Sequence, residues 1–193
     1  MVERIPPHNE EAERCVLGAA MLSKDAMYDV IEEVKADDFY NENHKEIFNA
    51  IMDLYRDNKP VDMLTVCEEL KTKKALDMVG GRAYIATLTT EVPSTTNAGE
   101  YAKIVSEKAS LRALIGTAED IMNKSYQGKD DTQEILNYAE SGIFQIGQKR
   151  QKSDYTPIQD VLLRNVEIID AASKNQGKVV GIPTRFKDLD NMT

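Results

Sequence analysis

The residues of this chain that could do chemistry are few and poorly spaced for it. Its two histidines, His8 and His44, each lack a Glu three residues upstream, since position 5 is Ile and position 41 is Asn. The Glu-x-x-His pattern of di-iron helical bundles is therefore missing, and the expected environments are a surface His8 and a half-buried His44. Glu10, Glu11 and Glu13 could pair as acid and base. Crowded together at a helix start, they read instead as a solvated first turn facing the positive end of the helix dipole. Cys15 and Cys67 stand alone with no C-x-x-C. Each falls on an apolar helical stripe, which predicts a buried free thiol rather than a ligand or a disulfide. No Gly-x-x-x-x-Gly-Lys-Ser/Thr occurs, so no loop is expected to cradle phosphates. These residues predict no catalytic site, no metal and no cofactor within the stretch itself.

Two surface features carry weaker signals. Lys71, Lys73 and Lys74 form a small basic cluster that reads as a solvated helix end, with lysines near the carbonyl terminus. Tyr84, just after Gly80-Gly81, has two open readings. It shares a helix with Ile85 and Leu88 and could be core, or it could anchor a partner, since tyrosine joins apolar area to a polar tip.

The elements that would position these residues are helical. Among the 193 residues hydrophobics make up 41%, aromatics only 6%, and there is no Trp, so small and aliphatic side chains must do most of the packing. Residues 1–100 hold 20 Asp and Glu against 11 Lys and Arg, and hence the entire net charge of −9. Such a surface repels phosphate backbones and suits a protein partner better than DNA. No apolar run approaches the roughly 20 residues that span a bilayer, and no signal peptide is evident. No membrane association is expected, and the cytoplasm is the expected compartment.

Pro6 and Pro7 hold a leader extended, and Asn9 is placed to cap a first helix carrying Ala12, Cys15, Val16, Ala19 and Leu22. Gly18 inside it costs about 1 kcal/mol relative to Ala, which implies another backbone crossing close by. A second helix follows from about Asp25. A third is predicted from an Asn43-x-x-Glu46 capping box, with His44, Ile47, Phe48, Ile51 and Leu54 on one stripe. A fourth runs from Asp62, and a short fifth opens at Gly80-Gly81 and stops at Val92-Pro93. These make a compact helical globule over residues 1–93.

Beyond Pro93, with Ser94, Thr95 and Thr96 as caps, one stripe runs unbroken for roughly 30 residues, or about 45 Å. After Gln127-Gly128 an Asp131-x-x-Glu134 box starts a return helix. An antiparallel hairpin over residues 94–150 follows, with Gly116, Gly142 and Gly147 as sites of close approach. Its seam, Ile104, Leu111, Ile135 and Ile143, cannot be covered by two helices alone, so self-association is expected. Residues 151–180 read as a linker. Thr156-Pro157-Ile158-Gln159 caps an amphipathic helix at 157–175, whose Ile158, Val161, Leu162 and Ile169 present a docking face. Residues 181–193 read as the entry to something further. The fold class is all-α: globule, long hairpin, separate linker helix.

Two segments point to a family. Arg4-Ile5-Pro6-Pro7-His8-Asn9-Glu10-Glu11-Ala12-Glu13 runs into Val16-Leu17-Gly18, and Gly181-Ile182-Pro183-Thr184-Arg185-Phe186-Lys187-Asp188-Leu189-Asp190 closes the chain. Together they resemble the bacterial replicative DNA helicases of the DnaB family, over the full length. The resemblance implies a helical collar and linker cut just before a RecA-like motor, with ATP and Mg belonging to that motor, an ATP-dependent DNA helicase. It implies dimerisation through the hairpin, hexameric assembly, and contacts with the C-terminal helicase-binding domain of primase and with a helicase loader. Single-stranded DNA would be held by the motor, at replication forks on the nucleoid. By position in the matching segments, the primase-contact candidates are Glu11, Tyr84, Ile115 and Ile121. The linker face would dock on a neighbouring motor. One departure is Arg185, where the family usually has Gly. A freestanding helical adaptor without a motor is the alternative, to be decided by whether a strand and a Gly-Lys-Thr loop follow residue 193.

Overall fold

The computed structural model describes residues 5–128 and 131–150. The expected linker helix at 157–175, its face of Ile158, Val161, Leu162 and Ile169, and the entry segment with Arg185 lie outside the described residues. All described elements are helical: α1 (Glu10–Leu22), α2 (Lys24–Glu33), α3 (Glu42–Arg56), α4 (Met63–Thr72), α5 (Gly81–Thr90), α6 (Ala98–Gln127) and α7 (Thr132–Arg150). Two 3-10 turns, Ala36–Asp38 and Thr95–Asn97, join α2 to α3 and α5 to α6.

Helix α1 is the hub. It packs against α2, α3, α5 and α6, and its residues Ala12, Glu13 and Cys15 through Met21 are all buried. Small side chains along one edge let its neighbours come close. Gly18 is the extreme case: a Cβ there would lie 2.0 Å from the Leu88 carbonyl oxygen and 2.4 Å from Val92 Cγ2. The end of α5 thus crosses α1 in backbone contact, as the mid-helix glycine implies. Leu22, expected on the apolar stripe, is instead exposed at the helix end.

Most boundaries follow from caps. Asn9 Oδ1 accepts from Ala12 N–H at 3.0 Å. Asp62 Oδ1 accepts from Leu64 and Thr65 N–H at 2.9 Å, while Asp62 N–H donates to Thr65 Oγ1 at 3.0 Å. Helix α3 starts two residues earlier than its expected box, because Asn41 Oδ1 accepts from Asn43 N–H at 2.9 Å and fixes the first turn. The Ser-Thr-Thr run before α6 forms a 3-10 turn rather than a side-chain cap, and α6 begins at Ala98 behind Asn97. Gly80, at φ 98°, turns the chain into α5 where an L side chain would be strained.

The first turns of α6 complete the globule: Ala98, Ala102 and Val105 are buried in the same core as Leu17, Phe48, Leu70 and Leu88. Beyond Val105 the helix carries on as one arm of a hairpin, with α7 returning against it. Close approach occurs at Gly142, where a Cβ would meet Thr117 Cγ2 at 2.8 Å. Gly116 and Gly147 have open space instead. Leu111, Leu114, Ile115, Met122, Leu136, Ile143 and Phe144 are exposed on the hairpin.

Candidate functional site

Three side chains from three helices form a hydrogen-bonded line through the globule. Glu13, in the first turn of α1, is buried, and its carboxylate accepts three bonds. Tyr40 N–H reaches Oε1 at 2.6 Å, Asn41 N–H reaches Oε2 at 3.3 Å, and His44 Nδ1 lies 2.7 Å from Oε2. The other ring nitrogen, Nε2, lies 2.6 Å from the Tyr84 hydroxyl on α5. An ionised carboxylate only accepts, so Nδ1 carries a proton and donates to Glu13, and the second ring nitrogen shares its bond with the Tyr84 hydroxyl.

Burial pushes the Glu13 carboxyl up, but the hydrogen bonds from His44, Tyr40 and Asn41, together with the charge attraction of His44, outweigh it, and the group is held below its ordinary value. Burial, aided by Glu10, Glu91 and Glu13 nearby, pushes the Tyr84 phenol up, so it stays protonated. Glu13 and His44 side chains are 2% and 0% exposed. With both imidazole nitrogens engaged and the ring sealed, the line orients Tyr84 and does not offer a base to a substrate.

This overturns three expectations. His44 is fully buried, not half-buried, because Glu13 satisfies it from inside. Glu13 belongs to the core and not to the solvated face of its turn, where Glu10 and Glu11 are exposed as expected. His8 is half-buried: its ring stacks on Tyr40 at 4.3 Å, with Nδ1 2.8 Å from the Pro6 carbonyl oxygen. Pro7 and His8 are thus partly buried, while Pro6 stays exposed.

The remaining candidates divide between the globule and the hairpin. Tyr84 is half-buried beside the first turns of α1, where Glu10, Glu13 and Arg14 perturb its phenol, and Glu11 is exposed on that helix. Arg14 pairs across to Glu91, Nε to Oε2 at 3.3 Å. Ile115 is exposed and Ile121 half-buried on α6, beyond the turns that enter the core. Of the seam residues, Leu111 and Ile143 are exposed, Ile135 is half-buried, and Ile104 packs on the globule's own core. Lys71, Lys73 and Lys74 are exposed at the end of α4, with Lys73 paired to Asp53. Cys15 and Cys67 are buried free thiols, each pushed up by burial. Among the described residues no cluster of His, Cys, Asp and Glu could hold a metal ion, and no helix is long and apolar enough to cross a membrane.

The buried pair left a signal in the sequence. Glu13 is followed by apolar residues at i+3, i+4 and i+7, and so is His44. An acid and a histidine on two apolar stripes are natural partners, although nothing in the spacing says that the stripes meet.

Comparison with known proteins places this architecture. The family described as "DnaB-like helicase N terminal domain" matches residues 5–107. A replicative DNA helicase DnaB from Leifsonia xyli is 38% identical over 191 residues, covering 99% of this chain and 42% of the relative. The chain therefore spans about two-fifths of that relative's length. The crystal structure of the N-terminal domain of DnaB helicase from Mycobacterium tuberculosis superposes with a TM-score of 0.70 at 40% identity, covering 73% of this chain and 99% of that one. A second structure, of a DnaB-like replicative helicase and its interactions with primase, has a TM-score of 0.63 at 26% identity, covering 95% of this chain and 41% of that one.

Proposed function

Since the chain belongs to the family of DnaB-like helicase N-terminal domains, we propose that it forms the collar of a replicative DNA helicase, assembling with copies of itself and docking primase. The observation that carries this is the conjunction of the family match over residues 5–107 with an apolar hairpin face left uncovered in the single chain. Leu111, Ile115, Met122, Ile143 and Phe144 lie exposed on two helices, and an apolar patch of that kind marks a protein interface. The primase reading draws on the structural relative that has primase interactions.

The whole protein's activity is part of the proposal: ATP-driven unwinding by a motor that takes ATP and Mg, with single-stranded DNA in the motor and a loader acting on the ring. The compartment is the cytoplasm, at replication forks. Residues 157–175 would carry the docking face of the linker.

Two measurements test the collar. Sedimentation of the chain should shift toward monomer in Leu111→Asp while helicity is kept; an unchanged profile removes the hairpin seam from assembly. In a calorimetric titration with the primase C-terminal helicase-binding domain, Tyr84→Ala and Ile115→Asp should each weaken binding. A parent chain that binds no primase, or variants that bind as well as the parent, would overturn the assignment of this surface.

A further inference from the structure

Arg112 sits where α6 leaves the globule. The last α6 residue in the buried core is Val105, and Leu111, Leu114 and Ile115 are already exposed. At this transition the Arg112 guanidinium donates to the Pro7 carbonyl at 2.7 Å and to the Asp38 carbonyl at 2.5 Å. Its centre lies 5.7 Å from the Tyr40 ring, which stacks on His8 in turn. One planar fork thus ties the leader and the α2–α3 connection to the root of the hairpin, a bridge that a point-charge ammonium does not reproduce.

The root is packed less fully beside that tether. A cleft of about 90 Å³ opens there among Val34, Lys35, Asp38, Ala109, Ala113 and Ile146. One turn beyond Arg112, Gly116 has nothing within 4 Å of where its Cβ would be. Glycine is the weakest ordinary helix former, so α6 is softest just past its last tether.

We propose that Arg112 is a clasp that fixes the angle between globule and hairpin, and that releasing it lets the hairpin rock into the cleft at its root. The clasp makes that angle depend on the leader. Displacing Pro7 and His8 breaks one of the two carbonyl bonds and the ring stack at once, so a partner that engages the first residues is felt along the hairpin. The proposal concerns motion inside one chain and stands whether or not primase is the partner.

The test is a distance distribution by double electron–electron resonance. Spin labels go at Asn49→Cys on α3 and Tyr126→Cys near the hairpin tip, both exposed positions. Excess unlabelled chain removes distances between copies, and the native thiols are buried. The parent should give one narrow distribution. Arg112→Met, which keeps length but loses the fork, should widen it about two-fold, as expected for a released rigid-body contact. Arg112→Lys should fall between. A distribution as narrow as the parent's in a cooperatively folding Arg112→Met overturns the proposal. If Arg112→Met does not fold, Arg112→Lys decides. Roughly ten-fold faster amide exchange at His8 and Phe39 with a wider distribution supports the clasp, and parent-like values of both refute it.

Discussion

Removing the Glu13 carboxylate should be among the most damaging single changes in the globule. Glu13→Ala strips the acceptor from three donors at once: the Tyr40 and Asn41 amides and His44 Nδ1. A fully buried donor left without a partner costs about 1–3 kcal/mol. That applies in full to His44 Nδ1 and in part to the two part-buried amides, so the expected loss is about 2–4 kcal/mol. That is a large share of the 5–15 kcal/mol that holds a typical domain together. Glu13→Gln keeps the volume and one acceptor oxygen, but points an amide donor at groups that are themselves donors, and should cost roughly 1–3 kcal/mol. Urea denaturation followed by circular dichroism reads both through the midpoint at unchanged slope. The pH dependence gives a second signature. Because the folded carboxyl is held below its unfolded value, its contribution is complete above about pH 4.3 and is lost as pH falls through the folded value. The parent should therefore lose stability more steeply than Glu13→Gln between about pH 5 and pH 3. A Glu13→Gln variant within about 0.5 kcal/mol of the parent at neutral pH, with a parallel curve into acid, would falsify the view that this carboxylate is a buried clamp.

Gly18→Ala should destabilise by several kcal/mol or block folding, since its Cβ would meet the Leu88 carbonyl at 2.0 Å. Gly116→Ala, with open space, should stabilise by up to about 1 kcal/mol through helix propensity; thermal melts of the pair should move in opposite directions. Cys15 and Cys67, buried and pushed up by burial, should react with a thiol reagent slowly in the native protein and at once in denaturant; immediate reaction without denaturant contradicts that burial. Asp62→Ala should cost about 1 kcal/mol through the lost capping box of α4, read as a lowered urea midpoint.

What the sequence determined by itself is what short-range physics encodes. Helix phase comes from a 3.6-residue repeat, and starts come from side chains that bond amides two or three residues away. Hence Asn9 and Asp62 mark real boundaries, Gly80 marks another through a φ only glycine adopts freely, and Gly18 announced a crossing because a mid-helix glycine is costly unless a neighbour needs the space. Asn43 failed where Asn41 succeeded because both are equally good caps. The choice fell to the preceding chain, where Tyr40 and Asn41 amides are already bound to Glu13.

Which helix faces meet was decided only in three dimensions. Glu13 and His44 each looked ordinary on its own helix, and burial of either one alone would be prohibitive. Only when α1 crosses α3 does each satisfy the other, and only the arrival of α5 gives the second imidazole nitrogen its tyrosine. Arg112 reads in sequence as one more charge on a long helix. Its partners are backbone carbonyls, which carry no side-chain signature, so no pattern of residue types could have named Pro7 and Asp38. The division follows from range: caps and periodicity act within a few residues, whereas desolvated polar groups are matched across elements that tertiary packing alone brings together.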